Sequence, residues 1–132
     1  MVPFMGQGDS LIQAHVDLDT GEGTMGTYVV RPSSSSGPHP VVIFLMDAPG
    51  KRQLLHQMAD RIAGWGFHVM LPNLYYRTTP QFELDFTSRE SFERMRELMS
   101  NVGNAMVGRD VSALLDHAST DPVADEIGRA HV

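Results

Sequence analysis

Two polar loops hold the side chains that are best placed to do chemistry, because each loop follows a short apolar segment. The first loop covers residues 46–53 and contains the carboxylate of Asp47, and the second covers residues 72–80 and contains the guanidinium of Arg77. The apolar segments are typical of buried strands joined by a helix. Parallel α/β sheets carry their ligand sites at the loops that leave the C-terminal strand ends. The sequence therefore predicts where a site lies before it predicts what the site does.

The residue types that the chain lacks narrow this chemistry. The absence of cysteine excludes a thiolate nucleophile, a thiolate metal site and a disulfide within these 132 residues. No Gly-x-Ser-x-Gly elbow is available to present a serine nucleophile. The histidines are not paired at metal-ligand spacing, so we expect no metal site; they are His15, His39, His56, His68, His117 and His131.

One continuous block, residues 40–77, positions both loops. Its order of strand, loop, helix and strand is that of a βαβ unit, the building element of a parallel sheet covered by helices. The unbroken apolar run at residues 41–45 predicts a strand that is buried on both faces. Helical spacing of apolar residues predicts a helix at residues 53–65 that ends at Gly66, before a strand at residues 67–71.

The rest of the chain adds elements on both sides of this block. Apolar spacing predicts strands at residues 11–19 and 24–30, which form a hairpin, and helices at residues 88–99 and 106–118. Thr87 or Ser88 is the expected cap of the first of these helices. A parallel sheet further predicts another strand after Pro122. The fold class is therefore α/β.

Charge and composition exclude several classes of function. The formal net charge of −6 argues against a general nucleic-acid partner, which would need a basic face, and disfavours docking on an anionic membrane. The longest apolar run, residues 41–46, is far too short to span a bilayer. The N-terminus lacks the basic start and long apolar run of a secretory signal. Together with the lack of disulfides, these features lead us to expect a cytoplasmic protein.

The last six residues, IGRAHV, match the translation of a widely used sequencing adapter in one frame, and the next adapter triplet in that frame is a stop codon. We therefore expect residues 127–132 to be a non-native tail and residues 1–126 to be part of a longer domain. The alternatives are a genuine C-terminus, or the beginning of a native strand whose match is due to chance. In the latter case Ile127 and Gly128 would be strand residues.

The block at residues 40–77 also carries specific residues at a recognisable spacing. They follow a pattern of a Pro-led strand, a loop with an acid and a glycine, a helix ending in Gly-aromatic, and a strand ending in a Pro-Asp-Leu-Tyr-like segment with a nearby arginine. In this chain they are Pro40, Asp47, Gly50, Gly66-Phe67, Pro72-Asn73-Leu74-Tyr75 and Arg77. With this pattern the chain resembles the dienelactone hydrolase family. The resemblance implies the truncated N-terminal part of an α/β-hydrolase fold, with a β-hairpin, a βαβ unit of a mainly parallel sheet and then helices.

The resemblance also implies a reaction, the hydrolysis of an ester or lactone by a cysteine nucleophile with a histidine and an aspartate, and no cofactor. By position, Asp47 would hold the nucleophilic thiol at rest, and the backbone N–H of Ala48 would donate to the oxyanion. Arg77 would pair with a carboxylate of the substrate. The family's Gly-x-Cys-x-Gly elbow follows the next strand, where this chain ends. All three catalytic residues would then lie downstream.

Simpler roles remain open for these residues and for the whole chain. Asp47 is also a common turn former, and Arg77 could be a solvated surface charge. Asn73 stands where the family usually has aspartate, which would weaken a loop hydrogen bond. The chain could instead be a complete flavodoxin-like α/β binding module without catalytic activity, or a translation product that never folds stably because its open sheet exposes apolar faces. The sequence does not indicate an oligomeric state.

Overall fold

A computed structural model describes residues 10–33, 38–120 and 124–131, the last range through its backbone. Residues 1–9 of the expected domain therefore lie outside the described residues. The described part of the chain forms five strands and three helices. In chain order the elements are β1 (Leu11–Asp19), β2 (Thr24–Pro32), β3 (His39–Ile43), α1 (Gln53–Ala63), β4 (His68–Pro72), α2 (Arg89–Ser100), α3 (Asn104–Ser119) and β5 (Ala124–His131).

The strands form one mixed sheet in the order β1-β2-β4-β3-β5. β1 and β2 make an antiparallel hairpin, and β2 is also antiparallel to β4. β3 lies parallel to β4 on one side and to β5 on the other. The predicted hairpin and βαβ unit are thus confirmed. The antiparallel pairing of β2 with β4 joins the two and places the hairpin at one end of the sheet.

The central strands β3 and β4 are buried on both faces, as their apolar runs predict. On one face, Ile43 and Met70 pack in a core that includes Leu114 of α3. On the opposite face, Val42 and Val69 belong to the core that α1 completes. Because successive side chains of a strand point to opposite faces, each strand contributes to both cores. The sheet therefore holds the two loops at its C-terminal edge between two packed layers.

The helices lie close to the predicted residues. Ser88 is the N-cap of α2, since its side-chain oxygen accepts the Ser91 N–H at 3.2 Å. The other candidate cap, Thr87, instead donates its hydroxyl to Asp85 at 2.7 Å. α1 ends short of Trp65, the last residue of the predicted helix, whose side chain is 70% exposed. No helix in the described part of the chain is long and apolar enough to cross a membrane.

β5 is the strand that the parallel-sheet pattern predicts after Pro122, a residue that itself lies outside the described residues. It pairs with β3, and the register shifts between Pro40 and Val42 of that strand. Backbone pairing does not distinguish a native strand from an appended segment that happens to pair. The proposed non-native origin of residues 127–132 therefore stays a prediction.

Candidate functional site

A cavity of about 230 Å³ lies where the C-terminal ends of β3 and β4 meet. Its walls come from the loop after β3, the loop after β4 and the residues that end α2, and include Asp47, Ala48, Leu74, Tyr75, Met99 and Val102. It occupies the sheet edge at which the two polar loops were expected to lie. Two of the three predicted site residues, Asp47 and Ala48, meet in this cavity.

The backbone around Ala48 is held on both sides, so the direction of its N–H is fixed. The Gly50 N–H donates to the Asp47 carbonyl at 3.1 Å and closes a turn. This bond orients the planar peptide that joins Asp47 to Ala48 and that carries the Ala48 N–H. On the other side, the Tyr75 hydroxyl donates to the Ala48 carbonyl at 2.7 Å. A backbone donor held in this way suits an oxyanion site, because it does not reorganise as charge develops.

The loop after β4 packs directly onto this turn, and Gly50 makes the packing possible. Gly50 has a φ of +100°, and a Cβ placed there would lie 2.2 Å from the carbonyl oxygen of Phe82. The Leu84 N–H donates to the Pro49 carbonyl at 2.9 Å. The Phe82 ring meets the Tyr75 ring edge-on at 5.9 Å. The two loops therefore form one packed unit around the cavity.

The carboxylate of Asp47 lines the cavity and is bound by Arg52. Arg52 donates to its two oxygens at 2.5 Å and 3.2 Å. The hydrogen bonds from Arg52 lower the pKa of Asp47, so this carboxyl group is ionised near neutral pH. The Asp47 side chain is nevertheless 54% exposed. It is thus an accessible, charged group beside the Ala48 peptide.

The amide of Asn73 holds the start of the loop after β4. Its Oδ1 accepts the Tyr75 N–H at 3.0 Å, and its Nδ2 donates to the Thr79 carbonyl at 3.0 Å. An aspartate could make the first of these bonds but not the second, because a carboxylate has no donor. Asn73 therefore makes one loop hydrogen bond through its oxygen and a second through its nitrogen, and the expected weakening of the first stays a prediction.

Arg77 lies outside this cavity, in a network of ion pairs. Asp110 of α3 is 1% exposed and accepts from Arg77 Nη1 at 3.0 Å and Nη2 at 2.8 Å. Glu22, in the turn between β1 and β2, accepts from Arg77 Nε at 2.9 Å. The Tyr76 ring lies 4.7 Å from the Arg77 guanidinium, and its hydroxyl donates to Asp110 at 2.8 Å. Arg77 is thus a well-paired charge that joins three parts of the fold.

A second cavity, of about 750 Å³, adjoins the first and shares Val102 with it. Arg77 and Arg109 line this cavity. The carboxylates that bind these two arginines belong to Glu22 and Asp110, which are not among its lining residues. A role of Arg77 in binding a substrate carboxylate therefore stays a prediction. The ion pairs that its guanidinium already makes would compete with such a substrate.

Sequence reasoning missed the partners of the predicted residues. Asp110 carries a signal that could have been used, because it lies between Val107 and Leu114 on the apolar face of α3. An acid in that place is buried and needs a partner. The role of Glu22 has no such signal, since it lies in an exposed turn far from Arg77 in the sequence.

Among the described side chains, no group of three or more His, Cys, Asp or Glu is arranged to hold a metal ion. His56 stacks on Tyr28 with ring centroids 4.4 Å apart, and burial lowers its pKa. The His56 ring of α1 thus packs against β2, which is a structural role.

Comparison with known proteins shows a family match over most of the chain, including the residues that line both cavities. The model of the dienelactone hydrolase family matches residues 25–129. A Synechocystis protein named provisionally as a carboxymethylenebutenolidase is 30% identical over 95 residues, which are 72% of this chain and 38% of that protein. Carboxymethylenebutenolidase 1 of Cupriavidus pinatubonensis is 24% identical over 103 residues, 78% of this chain and 43% of that protein.

A crystal structure of a Klebsiella pneumoniae protein, described provisionally as a dienelactone hydrolase, has a TM-score of 0.78 at 24% identity. It covers 93% of this chain and 49% of its own length, so this likeness shows a shared fold. The chain spans less than half the length of each of these three relatives. These matches do not favour the flavodoxin-like alternative. Since the family match extends from β2 through both cavity loops and α3, the chain belongs to the dienelactone hydrolase family of α/β-hydrolases.

Proposed function

We propose that this chain is the front part of an enzyme that hydrolyses a small-molecule ester or lactone by attack of a cysteine thiolate. The observation that carries the proposal is the cavity at the ends of β3 and β4, beside which the Ala48 peptide is held by hydrogen bonds. Membership of the dienelactone hydrolase family supports the reaction class. The cysteine, histidine and aspartate would come from beyond these 132 residues, which contain no cysteine.

Ala48 would act at the step in which negative charge develops on the substrate. Attack of the thiolate on the carbonyl carbon turns the carbonyl oxygen into an oxyanion. The Ala48 N–H would donate to this oxygen, and loss of one such donor typically costs about 3 kcal/mol in the transition state. The hydrogen bonds at the Asp47 and Ala48 carbonyls would keep this donor in place before substrate arrives.

Asp47 would act on the resting nucleophile. Its carboxylate lines the same cavity, and its hydrogen bonds with Arg52 favour the ionised form. An ionised carboxylate can accept a hydrogen bond from a thiol and hold it in one position. The apolar side chains of Leu74, Met99 and Val102 would contact the hydrocarbon part of the ester.

The remaining expectations are part of the same proposal. The enzyme would be cytoplasmic and would need no cofactor, and residues 127–132 would not belong to it. By its position in the family pattern, Arg77 would lie near any carboxylate that a substrate carries, and it lines the second cavity. The ion pairs of Arg77 limit that contact.

The test is to recover the gene beyond the codon for Glu126 and to express the longer protein. We expect a frame that continues into a Gly-x-Cys-x-Gly elbow, and hydrolysis of p-nitrophenyl acetate that falls by at least about 10³-fold when that cysteine becomes alanine. Ser112→Ala, at an exposed position of α3, is the matched control and should leave the rate unchanged. A longer protein without activity on simple esters and lactones, or with activity that does not need the cysteine, would refute the proposal.

A further inference from the structure

We propose that Glu22 is a specificity-determining residue, because its carboxylate occupies Arg77 from within the protein and disfavours substrates that carry a carboxylate of their own. This inference rests on the proposed hydrolase function and names the substrate class, a neutral ester or lactone, that the site takes best. It is carried by the hydrogen bonds of Arg77 and by the charge balance around it.

The N–H donors of Arg77 are already bound to Asp110 and Glu22, so that no pair of adjacent donors is free to bind a further carboxylate. A guanidinium has five N–H donors and grips a carboxylate through one of two edges, Nη1 with Nη2 or Nε with one Nη. Asp110 occupies the first edge, at 3.0 Å and 2.8 Å. Glu22 occupies the Nε end of the second edge, at 2.9 Å. An incoming carboxylate could reach single N–H groups but no free pair.

The cluster around Arg77 has no net charge to attract an anion. Two arginines, Arg77 and Arg109, face two carboxylates, Glu22 and Asp110. Arg109 binds Glu22 through Nε at 2.8 Å and Nη2 at 3.4 Å. A substrate carboxylate would add an unbalanced negative charge close to two others, and its desolvation would not be compensated. A neutral ester meets no such penalty.

Glu22 would compete with a substrate carboxylate for Arg77 at every pH at which the enzyme works, because it stays ionised. Hydrogen bonds from Arg109 and Arg77 lower the pKa of Glu22 to about 2. It is therefore ionised at any pH at which an ester hydrolase of this kind would act.

Glu22 is also the member of the cluster that can be changed without opening the core. Its side chain is 36% exposed, whereas that of Asp110 is 1% exposed and also binds the Tyr76 hydroxyl. In Glu22→Gln the Nε edge of Arg77 loses its charged partner, while Asp110 continues to hold the guanidinium in place. The variant thus removes the negative charge that competes with a substrate carboxylate, while the shape of the side chain is kept.

The experiment follows the arginine Nε–H signals of the ¹⁵N-labelled 132-residue chain by NMR. Two probes are titrated, monomethyl glutarate, which carries a carboxylate, and dimethyl glutarate, which is neutral. In the unchanged chain, we expect the Arg77 Nε–H signal not to move with monomethyl glutarate. In Glu22→Gln we expect a saturable shift, with a dissociation constant at least about tenfold lower than any seen in the unchanged chain. Dimethyl glutarate should move this signal in neither chain.

The matched control is Glu97→Gln, which removes one acid from an exposed ion pair on α2. It should behave as the unchanged chain, which separates a local effect from a general change in charge. A saturable shift of Arg77 in the unchanged chain, or a Glu22→Gln variant that binds the anion no better, would overturn the inference. This measurement needs no nucleophile. Failure of the longer protein to cleave esters would therefore refute the proposed function without deciding the role of Glu22.

Discussion

At the residue scale, Gly50 is the position at which the loop after β4 comes closest to the turn that holds Ala48. Gly50→Ala combines a φ of +100° with a Cβ that would lie 2.2 Å from the Phe82 carbonyl oxygen. We expect the free energy of unfolding to fall by about 2–3 kcal/mol, because backbone strain and a clash with main-chain atoms act together. Urea denaturation of the two chains measures the difference.

Gly21→Ala is the control for strain alone. Gly21 also has a left-handed conformation, with a φ of +85°, but a Cβ there would have no atom within 4 Å. We expect this variant to lose only about 1 kcal/mol. Equal losses in the two variants would contradict the claim that close packing of the loops, rather than backbone conformation, makes Gly50 necessary.

The candidate residues could be predicted from the sequence better than their partners could. Asp47 and Arg77 stand at recognisable positions of a known pattern. Arg52 follows Asp47 by only 5 residues, so that ion pair was within reach of local reasoning. Asp110 is 33 residues from Arg77, and the pair forms only because α3 packs against the sheet. Contacts of that kind depend on tertiary structure, which spacing along the chain does not encode.

At the element scale, α2 depends on a single side-chain cap. The Ser88 side chain accepts the Ser91 N–H, whereas the neighbouring Thr87 hydroxyl binds Asp85. We expect Ser88→Ala to lower the free energy of unfolding by about 1 kcal/mol, and Thr87→Ala to lower it by less. Thermal unfolding followed by circular dichroism compares the two variants. A larger loss of unfolding free energy in Thr87→Ala than in Ser88→Ala would show that Ser88 is not the residue that caps α2.

The turn between β1 and β2 should become less firmly attached in acid. Glu22 joins this turn to Arg109 and Arg77, and their hydrogen bonds lower its pKa from 4.5 to about 2. Because the unfolded chain takes up the proton first, this stabilisation is fully present above about pH 4.5 and is lost as the pH falls towards about 2. Glu22→Gln should therefore show a shallower loss of unfolding free energy between about pH 5 and about pH 3.

Urea denaturation at several pH values checks this prediction, with Glu97→Gln as the control. Some pH dependence should remain in Glu22→Gln, since Asp47 also has a lowered pKa. The same slope in Glu22→Gln and in the unchanged chain would show that Glu22 does not join these elements in solution.

The elements themselves could be predicted closely, because their signals are local. The alternation of residues in β1 gave both its ends, Leu11 and Asp19, as the structure has them. The antiparallel pairing of β2 with β4 was not foreseen, although it decides where the hairpin lies. The parallel pairing of the two strands in a βαβ unit can be predicted, because a helical crossover joins them. The strand that pairs with a hairpin cannot be predicted in this way, because it depends on which edge of the sheet is free.

At the scale of the whole molecule, the chain has the front part of a hydrolase sheet and the loops that line a site. It spans 38% and 43% of two named relatives, and 49% of a related crystal structure. The family could be identified because its pattern lies in the βαβ block. The reaction itself could not be located in these residues, which contain no cysteine; we propose that the nucleophile comes from an elbow beyond them.

The most direct measurement compares the hydrolysis of p-nitrophenyl acetate by the purified 132-residue chain and by the longer protein. We expect the longer protein to turn over the ester. The 132-residue chain should give only the rate of the buffer blank, because in our proposal the nucleophile lies beyond these residues. Saturable turnover by the 132-residue chain, removed by heat denaturation, would contradict the claim that the reacting residue lies outside it.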